Sequence, residues 1–201
     1  MAQTKRLRGH VEDAQQVAML ASPTRMEIVM TLESLAKPAT VAELAVQMGR
    51  PADGLYYHLH ALVDSGLLEQ EVEDGDRRYR STTPRGQRMR LRYKLGESGN
   101  AKAVRRVAAN MLRMAERDFA RASNRADTVV EGARRELWVA RLKGWVNATD
   151  LVEINRLLGC LAEILDRPRP SRASKLVALT WLLAPLDAKP ARRVAGARKS
   201  D

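Results

Sequence analysis

Cysteine is nearly absent from this chain: of 201 residues only Cys160 carries a thiol. One thiol closes no intramolecular disulfide, and it cannot alone supply the cysteine clusters from which structural zinc sites are built. With only three histidines besides (His10, His58, His60), no metal or other cofactor is expected, and a reducing cytoplasm is the expected compartment. Long apolar runs are missing as well. Leu176–Leu183, among the longest, falls far short of the roughly 20 residues that cross a bilayer, so no membrane span is expected. The basic start, Met-Ala-Gln-Thr-Lys-Arg-Leu-Arg, leads into an amphipathic acidic stretch, so no secretory signal is expected. The chain has no phosphate-binding Gly loop, no His-Glu-x-x-His helix and no serine nucleophile motif. Cys160 lies among Leu157, Leu158 and Leu161 and reads as an inert buried thiol. The expectation is a protein that is not an enzyme.

Positive charge is what the chain has in quantity: 35 Lys and Arg against 24 Asp and Glu, a formal +11. Such a balance favours an anionic partner, nucleic acid being the commonest. The charge is also segregated. Residues 69–76 hold five acids and no base, and residues 77–94 hold eight bases and no acid. Two solvated stretches that happen to adjoin would look the same, so the flanking pattern has to decide. The length suits one large domain or two small ones.

The first ten residues read as a mobile basic arm. From Val11 the spacing turns helical, with Val11, Ala14, Val17, Ala18 and Ala21 three and four apart. Ser22-Pro23 interrupts it and opens a second helix, whose Ile28, Val29 and Leu32 are apolar and which ends before Lys37-Pro38. Thr40, with Glu43 three residues on, predicts a capping box for a third helix over 41–48, closed by Gly49. A fourth runs from about 52 to 65, with Leu55, Leu59 and Leu62 on one side and Gly66 as its stop. The period then changes to strands, Leu67–Glu73 and Arg78–Thr82, around the hairpin signal Asp74-Gly75-Asp76. Helices followed by a β-hairpin, the last two helices forming a helix-turn-helix, describe a winged helix.

The stretch from Ala21-Ser22-Pro23-Thr24-Arg25 through Val41-Ala42-Glu43-Leu44-Ala45 and His58-Leu59-His60-Ala61-Leu62 to Gly66-Leu67-Leu68 resembles the ArsR-like winged helix-turn-helix family of bacterial transcriptional regulators. The resemblance spans roughly residues 11–95. It implies a homodimeric, cytoplasmic repressor or activator bound to a double-stranded DNA operator, with repression the expected sense. Metal sensing is not implied, because the family's metal sensors use Cys, His and carboxylate clusters.

In such a fold the second helix of the motif enters the major groove. With the leucines inward, Asp53, Tyr56, Tyr57 and His60 remain to face bases or phosphates. Tyr56 stands where the family usually has a small hydroxyl residue, and it divides between core edge and contact; Tyr57 reads as a contact. His58 reads as packed and hydrogen-bonded. Arg25 and Arg50 are candidate phosphate grips or solvated surface. Arg77, Arg78 and Arg80 form a basic wing for the backbone or minor groove, with the preceding acids turned away from DNA or paired to them.

Residues 96–187 read as a helix-strand-helix-strand module, so that the whole is α+β and mainly helical. A long helix over about 101–123 carries one stripe of Val104, Val107, Met111 and Met114 and a second of Ala108, Leu112, Ala115 and Phe119, wide enough for its own domain and a partner helix. Glu136–Val146 alternates as a half-buried strand, 150–165 is a helix with its leucines inward, and Lys175–Leu186 is a second strand. The three tryptophans, Trp138, Trp145 and Trp181, all lie here, as a plain core or as the lining of a small-molecule effector cavity. Residues 188–201 read as a disordered basic tail. The rival to a DNA-binding regulator is a winged helix used for protein assembly without specific DNA binding.

Overall fold

The computed structural model describes residues 10–11, 13–84, 88–91, 98–167 and 175–187. The expected basic tail 188–201, and the arm 1–10 apart from His10, lie outside the described residues. The fold is α+β. Helices α1 (Ala14–Leu20), α2 (Pro23–Leu35), α3 (Val41–Met48) and α4 (Asp53–Asp64) precede a hairpin of strands β3 (Leu68–Glu73) and β4 (Asp76–Ser81). The long helix α5 (Ser98–Ser123) and a final helix α6 (Ala148–Asp166) follow, and short strands β1 (His10–Val11), β2 (Ala39–Thr40) and β5 (Arg90–Leu91) complete the set.

Local chemistry sets most of these boundaries. Asp13 caps α1 by accepting from the backbone N–H groups of Gln15 and Gln16. Pro23 stands at the start of α2, where its missing N–H costs nothing. The Thr40–Glu43 capping box forms in both directions, at 3.2 Å and 2.8 Å, and Gly49 ends α3 at φ 60°. Asp74 and Gly75 both have positive φ, 52° and 84°, as the tight two-residue turn of a hairpin requires. That turn sets the register Glu73 opposite Asp76, Val72 opposite Arg77 and Gln70 opposite Tyr79. β2 adds to the other edge of β4, giving the antiparallel order β2-β4-β3.

The core lies where this sheet and the first four helices meet. Leu20, Ile28, Val29, Leu44, Leu55, Leu59, Leu62 and Tyr79 are buried in it, each leucine adding about 1.5–3 kcal/mol by leaving water. α5 closes the far side: Ala103 and Val107 are buried, and the buried Asn110 donates from Nδ2 to the Ala21 carbonyl at 2.6 Å. Its second stripe is turned outward, with Leu112 and Phe119 exposed.

Glu33 on α2 is a mostly buried carboxylate under the end of the hairpin. It accepts from the Met89 N–H at 2.9 Å and the Ser81 hydroxyl at 3.4 Å, and burial, the leading cause, raises its pKa above the ordinary 4.5. A carboxyl whose folded pKa is raised favours folding when protonated, so its contribution is lost as pH rises from 4.5 through the folded value. Against the variant Glu33→Gln, the wild-type denaturation midpoint should therefore fall as pH rises above about 4.5. A difference between the two chains that does not vary with pH refutes this.

Five expectations are corrected. Val11 begins no helix but sits in β1, paired in parallel with Leu91. The strands expected at 136–146 and 175–186 form no ladder, because neither finds a partner backbone among the described residues. α6 forms as expected but buries no residue, and Cys160 on it is exposed rather than buried. The same absence of a facing layer accounts for both features of α6. The tryptophans follow suit: Trp138 and Trp145 are each 69% exposed and Trp181 is 40% exposed, so the described residues do not enclose them in a core.

Candidate nucleic-acid interface

α3 and α4 are joined by the turn Gly49-Arg50-Pro51-Ala52, in which the Arg50 N–H returns to the Ala45 carbonyl at 3.0 Å. Because Leu55, Leu59 and Leu62 are held in the core, α4 presents its opposite side to solvent. Asp53 and His60 are exposed there, beside Tyr56 at 44% and Tyr57 at 73% exposure. The four candidates on this helix therefore share one open face. It carries phenols, an imidazole and a carboxylate, but no Lys or Arg.

His58 is half-buried with its ring edge-on to Tyr57, centroids 5.5 Å apart. It is packed as expected, but its buried Nδ1 lacks the expected hydrogen bond. Burial, reinforced by the nearby Arg25 and Arg50 guanidinium groups, lowers its pKa below the ordinary imidazole value. Charging that ring is opposed from both sides.

The candidate arginines are nearly all engaged within the fold. Arg25 donates from Nε to the Met19 carbonyl at 2.7 Å, satisfying a carbonyl at the end of α1. Arg50 reaches Glu27 of α2 at 3.1 Å. On the hairpin, Arg78 pairs with Glu73 at 2.9 Å and Glu43 at 3.5 Å, and Arg80 with Glu69 at 2.5 Å and Glu71 at 3.9 Å. Arg77 is exposed and has no ion-pair partner among the described residues. Residues 41–81 hold eight acids against four bases, a net −4. The +11 of the chain resides elsewhere: α5 has six bases against two acids, and residues 85–94 hold five bases and no acid.

Sequence reasoning missed Glu27. It accepts from Arg50 with one oxygen and from Arg117 of α5 with the other, at 2.8 Å, so one carboxylate ties the long helix to the turn before α4. The partners lie 23 and 90 positions away, and no local spacing announces them. Glu43 has a double use of the same kind: its hydrogen bond to the Thr40 N–H, aided by Lys37 and Arg78, holds its carboxyl below the ordinary range.

A family model described as a helix-turn-helix domain matches residues 20–71, from the last residue of α1 through α4 into β3. No curated protein matches the chain. The chain thus carries a helix-turn-helix domain in its N-terminal half, consistent with a helix-turn-helix regulator. Among the described residues, no helix is long and apolar enough to cross a membrane.

Proposed function

We propose that this protein is a sequence-specific DNA-binding transcriptional regulator, a repressor of the ArsR-like winged helix-turn-helix kind, acting as a homodimer. The observation that carries the reading is the open face of α4, where Asp53, Tyr56, Tyr57 and His60 stand clear of the core. That face suits base edges better than phosphates. A phenol donates or accepts a hydrogen bond and lays its ring against a thymine methyl, and a neutral imidazole does one of each. Counterion release must then come from cations outside α4: Arg77 on the hairpin, acting as the wing, and the basic run 85–94 that follows it. The outward stripe of α5, Leu112 and Phe119 with Ala108 and Ala115, is the surface on which two copies would meet.

Selection of bound fragments from a random duplex library tests this at physiological salt. The expected result is enrichment of a palindrome whose half-sites lie one helical turn or a multiple apart. Recovery of unenriched sequence overturns it. That second outcome would favour the protein-assembly reading, for which the specific support is the net −4 of residues 41–81.

The ion pairs on the hairpin predict a gain of function. In Glu69→Gln with Glu71→Gln, Arg80 loses both carboxylate partners and the surface loses two negative charges. DNA affinity should rise roughly 3- to 10-fold, with the salt dependence of log K steepening by about one unit as Arg80 takes a phosphate. Stability should change by about 0.5 kcal/mol or less, since both pairs are solvent-exposed. Titration at several salt concentrations reads both quantities, and an unchanged slope takes Arg80 out of the interface.

A further inference from the structure

The runs 135–147 and 175–187 contain neither turn nor bend, and neither has a ladder partner among the described residues. Between them lies α6, with no buried residue. Among the described residues, seventeen large apolar side chains from Trp138 to Leu186 are exposed, Leu142 at 92%. At on the order of 50–100 Å² each, they exceed the roughly 300–600 Å² of a monomer's largest apolar patch. They are on the order of the about 1,000 Å² per partner that obligate homodimers remove. An open strand edge beside such a surface is a template for another strand.

We infer that residues 135–187 fold against the same residues of a second copy, forming one four-stranded sheet across the dimer with two α6 helices covering it. This rests on the homodimer of the proposed function but not on its DNA partner. The order of a turn-free run, a helix and a second turn-free run is that of a β-α-β unit, and Lys175 meets Glu136 at 2.7 Å, so the first residues of the two runs lie within side-chain reach of each other. Their patterns assign the positions. Leu176–Leu183 is apolar at nearly every residue, as a strand buried on both faces must be, whereas 136–146 alternates as a half-covered strand does. The 175–187 strands therefore lie innermost, pairing antiparallel with each other about the two-fold axis, and the 136–146 strands lie outside them, each laddering in parallel with the 175–187 strand of its own copy only once that inner pair has formed. Charge agrees with a self-complementary arrangement. The run 135–147 has three bases against one acid, and α6 has four acids against one base. Isologous pairing, in which the same patch serves on both subunits, lets the run of one copy face the helix of the other.

The test uses the full-length protein without DNA. Light scattering should give a dimer, and the emission of the three tryptophans should be that of buried indoles. Single cysteines are then placed in turn at every position from 176 to 184 in a Cys160→Ser background and oxidised. Each step from a two-fold axis separates like residues by about 6.8 Å more, twice the strand rise, and a disulfide needs Cα atoms within about 7 Å. Intermolecular crosslinking should therefore peak at one or two adjacent positions and vanish two residues away. A monomer overturns the inference, as does a dimer with solvent-like tryptophan emission. A dimer that crosslinks at none of these positions also overturns it. Leu112→Cys in the same background reports the α5 contact separately, so failure of the sheet is distinguishable from failure of the dimer.

Discussion

Replacing Tyr57 and His60 together by alanine should abolish the protein's preference for its selected duplex while leaving it folded. Both side chains stand on the open face of α4 and neither belongs to the core, so the stability change should stay within about 1 kcal/mol, in the range of surface substitutions. A base contact contributes about 1–3 kcal/mol of discrimination, so the pair should account for roughly a 100-fold loss of specific affinity, with non-specific affinity nearly unchanged. The salt slope should also hold, because neither residue carries the charge that neutralises phosphate. Competitive binding of selected and scrambled duplexes measures all three. Retention of full preference by a folded variant removes α4 as the reading helix.

The second large effect should come from residues outside the helix-turn-helix. If a surface of net −4 binds DNA, the cations that release counterions must come from outside it, and 85–94 is the nearest dense run in the sequence. Arg85, Arg90, Arg92 and Lys94 changed together to glutamine should lower affinity for any duplex on the order of 100-fold at about 0.1 M salt. The slope of log K against log salt should flatten by up to about 3.6, at 0.9 per phosphate contact. Arg88 is left in place because it is tied to α6, through Asp166 at 2.9 Å and the Leu165 carbonyl at 3.0 Å. Sequence preference should survive at low salt. A variant that keeps its affinity and slope would show that no phosphate depends on these four side chains.

The two experiments separate specificity from affinity, a separation the charge pattern alone misplaces. Read as a string, residues 77–94 are one basic block, and Arg77, Arg78 and Arg80 look equivalent. Hairpin register makes them different. The strand-to-strand pairing sets Arg80 opposite Glu69 and Arg78 opposite Glu71, and Arg78 also meets Glu43 of α3, 35 residues away. The abrupt switch from acid to base at residue 76 is thus largely the signature of a hairpin neutralising itself. Arg25 and Arg50 lost their apparent freedom in the same way, to a helix-end carbonyl and to Glu27.

In the C-terminal half the sequence pattern and the single chain diverge for another reason. Alternation at 136–146 and the apolar run at 176–183 speak for strands, but a strand is completed only by another backbone at hydrogen-bonding distance. One copy does not bring such a backbone to either run, and α6 has its capping box and its apolar side but nothing to cover the latter.

What the amino-acid order determined alone is local. It set the capped start of α3, the glycine stops after α3 and α4, the Asp-Gly hairpin turn and the inward leucines of α4. Each depends on neighbours within a turn or two, where side-chain reach and backbone geometry suffice. Tertiary structure alone decided which guanidinium groups remain free for a phosphate, where the buried Glu33 finds its donors, and that α5 is anchored through Asn110 and Arg117 to its own domain. Apart from Arg25 and Arg80, whose partners are 6 and 11 positions away, those outcomes join residues from 23 to 90 positions apart. Such distant pairs acquire their energy only after the chain has folded and excluded the water that would otherwise screen them.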